Sequence, residues 1–179
     1  CLSRGLGDVY KRQGYIEQLD DELLRISKES FDALSFNCYA LSPDHEKMNH
    51  ALEISGLPMI IGEYHFGTVD RGLAQSLWQV NSQKERGDAF QYYTENAFAH
   101  RGLIGTGWFR WIDQNINGRT DGENYNCGFI DVTDRPYPYM VDAAIEAAKS
   151  LYEIHSGTKT PFHQAPNAVG HSPIPDLWE

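Results

Sequence analysis

Apolar positions recur near helical spacing in YIEQLDDELLRISKES (15–30), where Ile16, Leu19, Leu23, Leu24 and Ile26 predict a helix. The stretch from Phe31 to Tyr39 is short and mostly apolar and reads as a buried strand. DHEKMNHALEISG (44–56) predicts a helix capped by Asp44 and closed by Gly56, with Pro58 just beyond. A second apolar strand covers 58–64, and a longer connection runs over 65–83. KERGDAFQYYTENAFAHRG (84–102) predicts a helix closed by Gly102, LIGTGWFRWI (103–112) a third strand, and 113–128 a Gly/Asn/Asp-rich loop. Phe129 to Val132 reads as a short extended piece, and PYMVDAAIEAAKSLYEIHSG (138–157) as a helix ending at Gly157. The tail, 158–179, holds Pro161, Pro166, Pro173 and Pro175 and is expected to be irregular.

Strands and helices alternate, and the strands are apolar almost throughout. This pattern suits parallel strands covered on both faces, in an α/β protein. A doubly wound sheet and a (β/α)₈ barrel both fit the alternation. Three strands are too few for either, and a full barrel needs roughly 200 residues or more, so the expectation is the last part of something larger.

The 179 residues amount to one domain, with 41% apolar and 12% aromatic residues, as in folded globular proteins. The formal net charge of −10 argues against a nucleic-acid partner, because phosphate contacts need clustered Lys and Arg. No run approaches 18 apolar residues, so no membrane-spanning helix is expected. Cys1, Cys38 and Cys127 form neither a CxxC motif nor a dense framework; Cys38 and Cys127 could pair, but base rates of Cys burial favour two free buried thiols. The run Asp8-Val9-Tyr10-Lys11-Arg12-Gln13 resembles the translation of a sequencing-library adapter. Residues 1–13 are therefore read as a scar, with 14–157 as the folded body.

In parallel α/β folds, functional side chains gather at the carboxyl ends of strands. Here those ends supply Asn37 and Tyr39, then Glu63 and His65, then Trp108, Arg110 and Trp111, followed by Asp113 and Gln114. Polar groups mixed with aromatic rings suit a sugar, which offers hydroxyls to the former and a C–H face to the latter. A carboxylate such as Glu63 can attack an anomeric carbon. Retaining glycosidases pair such a nucleophile with a second carboxyl group about 5–5.5 Å away.

Three motifs, IIGEYHFG followed by Asp70-Arg71-Gly72, GTGWFRWIDQ, and DGENYNCGFIDVTDRPYP, occur in order over roughly residues 31–155. Together they resemble the C-terminal part of clan A glycoside hydrolases, most similar to agarase-like and β-galactosidase-like enzymes. The resemblance implies a retaining (β/α)₈ TIM barrel with its sixth to eighth strands present and its N-terminal part missing. It also implies that Glu63 is the nucleophile, that Trp108 is the aromatic platform under the reacting sugar, and that Tyr39 approaches the nucleophile. Asn37, His65, Arg110, Glu123 and Asn124 are further candidates for the substrate rim. The implied partner is a poly- or oligosaccharide, and the chemistry requires no cofactor and no metal. A polysaccharide substrate implies secretion or a periplasmic location, while the oligomeric state stays open. The family's acid/base Glu follows an Asn, and no Asn-Glu occurs in this chain, so residues 1–179 alone are expected to be inactive.

Each candidate also has a plainer reading. Glu63 would be a strand-end carboxylate paired with an Arg such as Arg71, Trp108 and Tyr39 would be packed aromatics, and His65 a loop histidine bonded to a carbonyl. The rim residues would then be structural hydrogen-bonders. Whole-molecule alternatives are a non-catalytic carbohydrate-binding barrel and a barrel enzyme for phosphorylated metabolites. Against the latter, the loop with Gly118 and Gly122 carries Asp113, Asp121 and Glu123, which repel phosphate. The stretch from Asp113 to Asn124 begins like a calcium loop but has Asn where the final Glu belongs. His45-Glu46 with His50 misses the spacing of a zinc helix by one residue.

Overall fold

In the computed structural model, which describes residues 16–170, three strands form a parallel sheet in chain order. They are β1 (Leu34–Asn37), β2 (Met59–Tyr64) and β4 (Leu103–Trp108). A two-residue strand, β3 (Trp78–Gln79), pairs antiparallel with β5 (Val169–Gly170). The helices are α1 (Asp21–Ser30), α2 (His45–Ser55), α3 (Gln83–Phe98) and α4 (Pro138–His155). None of them is long and apolar enough to cross a membrane. The α/β alternation and the parallel pairing agree with the sequence pattern. The reading of residues 1–13 lies outside the described residues.

Local chemistry sets most boundaries. The Asp44 carboxylate accepts the N–H groups of Glu46 and Lys47, and Gly56 closes α2 in the left-handed region at φ 67°. The single helix expected over 15–30 is interrupted, because Asp20 caps Leu23 N–H and starts α1, leaving Ile16–Gln18 as a separate 3₁₀ turn. The helix expected to run to Gly102 stops at Phe98, and the His100 ring accepts Gly102 N–H in the turn that follows. Gly102 is needed there for close packing, since a Cβ would sit 2.9 Å from Leu52 and 3.0 Å from Met59 side-chain atoms. The third strand ends at Trp108 rather than 112, and residues 129–132 form isolated bridges through Ile130 instead of a strand. Residues 160–168 carry no regular element, but the described part of the tail is anchored at two points. Phe162 is tied to Glu95 and Asn96 of α3, and Val169–Gly170 adds β5 to β3.

One face of the sheet is buried. Leu34, Phe36, Met59, Ile61 and Leu103 pack with Met48 and Ala51 of α2, Ala89 and Tyr93 of α3, and Met140 and Ala147 of α4. The opposite face is open, with Ile104 56% exposed, so the expectation that both faces are covered does not hold for these residues.

The feature that positions the site is a β-bulge at Gly62. Phe36 pairs with Ile61, but the next residue, Asn37, pairs with Glu63, so β2 carries one extra residue. The same extra residue shows against β4, where Ile61 pairs with Thr106 and Tyr64 with Trp108. In an unbroken strand, Glu63 would share the helix-covered face with Met59 and Ile61, because side chains alternate. The bulge reverses the alternation. Tyr64 turns into the core, 1% exposed and hydrogen-bonded to Thr94, and Glu63 turns to the other face. Gly107 makes this possible, since a Cβ there would lie 2.5 Å from the Gly62 carbonyl oxygen.

Candidate active site

Glu63 sits at the carboxyl end of β2, half-buried, and its Oε2 accepts hydrogen bonds from Tyr39 Oη at 2.8 Å and Asn37 Nδ2 at 3.0 Å. Both donors come from the end of β1. The carboxylate dictates the Asn37 amide orientation, because only the NH₂ side can donate to it. Asn37 Oδ1 is left buried with no hydrogen-bond partner among the described residues, a cost of about 1–3 kcal/mol that the Glu63 contact helps to offset. Tyr39 is braced in turn, its carbonyl accepting the Trp78 indole N–H at 2.8 Å. The ion pair with Arg71 does not form; Arg71 faces Asp70 at 3.8 Å instead.

Two hollows meet at Glu63. The larger, about 630 Å³, is lined on one side by Asn37, Tyr39 and His65, and on the other by Glu123, Asn124 and Tyr125. The smaller, about 490 Å³, is lined by Gly62, Gly107, Trp108, Arg110 and Trp111. Glu63, Phe109 and Arg119 line both. Each volume falls in the range of small-ligand sites, about 300–1,000 Å³. The eight sequence candidates therefore divide: Trp108 and Arg110 lie on one side of Glu63, and Asn37, Tyr39, His65, Glu123 and Asn124 on the other.

Trp108 is half-buried on an aromatic cluster, edge-on to Tyr64 at 5.2 Å and to Phe90 at 5.4 Å, and its indole N–H donates to Cys127 O at 2.7 Å. It is thus both a packed residue and part of a hollow wall. His65 has both ring nitrogens committed. Nδ1 donates to Phe109 O at 3.1 Å, and Nε2 accepts Leu77 N–H at 3.1 Å. Burial pushes its pKa down to about 3, so the ring is neutral and contributes carbon edge rather than a polar group to the larger hollow. Cys38 and Cys127 are buried thiols, as expected. Burial, then the nearby Asp113 carboxylate, pushes Cys127 up to about 12.

Arg119, Asp121, Tyr125 and Phe109 also line the hollows and were not among the sequence candidates. Arg119 ties its loop together, meeting Asp121 at 2.5 Å and Glu123 at 3.3 Å, while Gln114 donates to Glu123 at 2.7 Å. The alternating charges of Arg119, Asp121 and Glu123 were the available signal. Asp113 and Gln114, read from the sequence as rim groups, are 3% and 0% exposed. Asp113 accepts from Gly128 N–H, Asn126 Nδ2 and Tyr137 Oη beneath the loop. The fully buried Arg86 donates to Gln83, Asn126 and the Gly128 carbonyl, binding α3 to the same loop.

No family model matches the chain. Over 128 residues, 68% of its length, it is 39% identical to Beta-agarase A of Vibrio sp. (strain JT0107), and it spans 13% of that relative. The solved structure of PfGH50B matches 75% of the chain and 19% of its own, with 38% identity and a TM-score of 0.72. The structure of an exo-beta-agarase matches 76% of the chain and 18% of its own, with 36% identity and the same TM-score of 0.72. The chain is homologous to a short stretch of each of these longer proteins.

Proposed function

We propose that this chain is the nucleophile-bearing segment of an agarase-type glycoside hydrolase, a retaining β-glycosidase of (β/α)₈ architecture that cleaves a galactan-like poly- or oligosaccharide. The single observation that carries the reading is Glu63, turned by the Gly62 bulge to the open face and held by Tyr39 and Asn37 through Oε2 alone. Its Oε1 accepts no hydrogen bond from the described residues and is the atom assigned to attack. The homology to β-agarases and the clan A resemblance of the three motifs support the same reading.

In this mechanism the reacting sugar lies in the smaller hollow, its C–H face against Trp108. Glu63 Oε1 forms a bond to the anomeric carbon as the bond to the leaving oxygen breaks. A second carboxyl group, supplied by the complete enzyme outside this segment, gives its proton to that oxygen. The same group then takes a proton from water, the water oxygen bonds to the anomeric carbon, and Glu63 leaves as a carboxylate. Two replacements at one carbon retain its configuration. Tyr39 and Asn37 keep Oε2 from rotating into the attacking position, so the nucleophile is oriented before substrate arrives. A galactan polymer is too large to cross a membrane before it is cleaved, so we place the enzyme outside the cell membrane.

In the complete protein, Glu63→Gln is expected to abolish turnover by several orders of magnitude while sugar binding persists. A 2-deoxy-2-fluoro glycosyl reagent is expected to label the peptide containing Glu63, and the first-formed product is expected to have retained configuration by NMR. Label on another residue, an inverted product, or wild-type turnover by Glu63→Gln refutes the assignment; sugar binding without turnover in the complete wild-type protein favours a non-catalytic sugar binder.

A further inference from the structure

The segment that follows α4 runs beside α3 from its carboxyl end to its amino end. It leaves α4 through a left-handed turn at Gly157, and Thr158 N–H donates to Glu153 O at 2.9 Å. At the carboxyl end of α3, Glu95 Oε2 accepts Phe162 N–H at 2.7 Å, and Asn96 Nδ2 donates to Phe162 O at 3.0 Å. Glu95 is 2% exposed, so this anchor is a buried carboxylate rather than a surface contact. The seven residues from Phe162 to Val169 can reach about 23 Å when extended, enough to pass the roughly 18 Å of helix from Glu95 back to Gln83. Val169–Gly170 then pairs with β3, just before α3 begins. On its other side β3 is fastened to the loop after Glu63: Gly67 N–H donates to Trp78 O and Gly67 O accepts Val80 N–H, both at 2.9 Å. The Trp78 indole lies against Gly170, where a Cβ would sit 3.1 Å from Cζ2, and meets the Phe66 ring edge-on at 6.5 Å. Its N–H donates to Tyr39 O at 2.8 Å, and Tyr39 Oη donates to Glu63 Oε2 at 2.8 Å.

We propose that the segment from Thr158 to Gly170 is a strap that positions Glu63 from outside the site: β5 seats the Trp78 indole, Trp78 holds the Tyr39 backbone, and Tyr39 aims the carboxylate. Trp78 lines neither hollow, so it is a positioning residue and acts only through Tyr39. The relay has a local reason. Tyr39 stands two residues beyond the end of β1, outside the ladder that fixes Asn37, and the Trp78 bond holds its backbone from another direction. Gly170 leaves the indole the room it needs to make that bond. This inference rests on the glycosidase reading above.

The test uses the complete enzyme, an aryl β-galactoside and the 2-deoxy-2-fluoro reagent. Trp78→Phe keeps a ring and removes the N–H donor. Its kcat is expected to fall about 3- to 10-fold with little change in KM, and labelling of Glu63 is expected to slow by the same factor. Gly170→Ala forces the indole aside by a few tenths of an ångström and is expected to give a smaller loss of the same kind. Action through Tyr39 also requires non-additivity. In a Tyr39→Phe background, where the bond to Glu63 is already gone, Trp78→Phe is expected to lower kcat no further. A fall in Tm alone, with kcat per labelled site and KM unchanged in both variants, overturns the proposal and leaves the segment a structural brace. An undiminished loss in the Tyr39→Phe background overturns it too. Either result together with lost turnover in Glu63→Gln sinks this inference alone, whereas wild-type turnover in Glu63→Gln sinks the reading beneath it.

Discussion

Gly107→Ala tests the link between strand packing and the aim of Glu63. The added Cβ would lie 2.5 Å from the Gly62 carbonyl oxygen, under the 3.0 Å that real Cβ atoms keep. That atom is backbone, so no side chain can swing aside, and β2 and β4 must part by roughly half an ångström or more. Overpacking of this kind costs about 1–3 kcal/mol of stability. The displaced group is the bulge itself, one residue from Glu63, and Asn37 and Tyr39 are fixed to β1 rather than β2. Displacement of Glu63, the proposed nucleophile, relative to its two donors is expected to lower kcat by about 10- to 100-fold. The assay is kcat on an aryl glycoside with the complete enzyme, alongside Tm and a tightly binding sugar to report an intact hollow. A variant with wild-type kcat and unchanged Tm refutes the argument that strand separation sets the carboxylate. A lower Tm with wild-type kcat would show that the bulge holds Glu63 without help from Gly107.

Other consequences follow from single contacts. Tyr39→Phe removes the 2.8 Å bond to Glu63 Oε2, and kcat on the aryl glycoside is expected to fall about 10- to 100-fold with little change in Tm. Arg86→Met leaves Gln83 Oε1 and the Gly128 carbonyl without their donor beneath the loop, while Asn126 Oδ1 keeps Gln83 Nε2, and is expected to cost about 1–3 kcal/mol for each acceptor left unpaired in chemical denaturation. His65 has a folded pKa of about 3, below its ordinary value of 6.5, so the unfolded state binds the extra proton. Its contribution to stability is complete above pH 6.5 and is lost as pH falls from there toward 3. Thermal melts across that window are expected to show an acid slope that His65→Gln reduces, and equal slopes in both proteins would contradict it.

Much of the fold was legible in the chain because it depends on neighbours in sequence. The cap at Asp44, the left-handed stop at Gly56 and the alternation of strand and helix are set within a few residues, and each stands where the pattern predicts. Glu63 at a strand's carboxyl end, with Asn37 closing the strand before it and Tyr39 two residues beyond, was legible for the same reason. Other features depend on partners distant in the chain. Whether Glu63 faces core or solvent turns on the extra residue at Gly62, and that residue is defined only by register against two other strands. Asp113 and Gln114 look like rim groups until Asn126, Tyr137 and Tyr125 fold over them. The split of the site into two hollows depends on Arg119 and Phe109 arriving beside Glu63 from separate segments, which no periodicity records. Local hydrogen bonds and hydropathy therefore determined the elements, while long-range register and burial decided where the chemistry points.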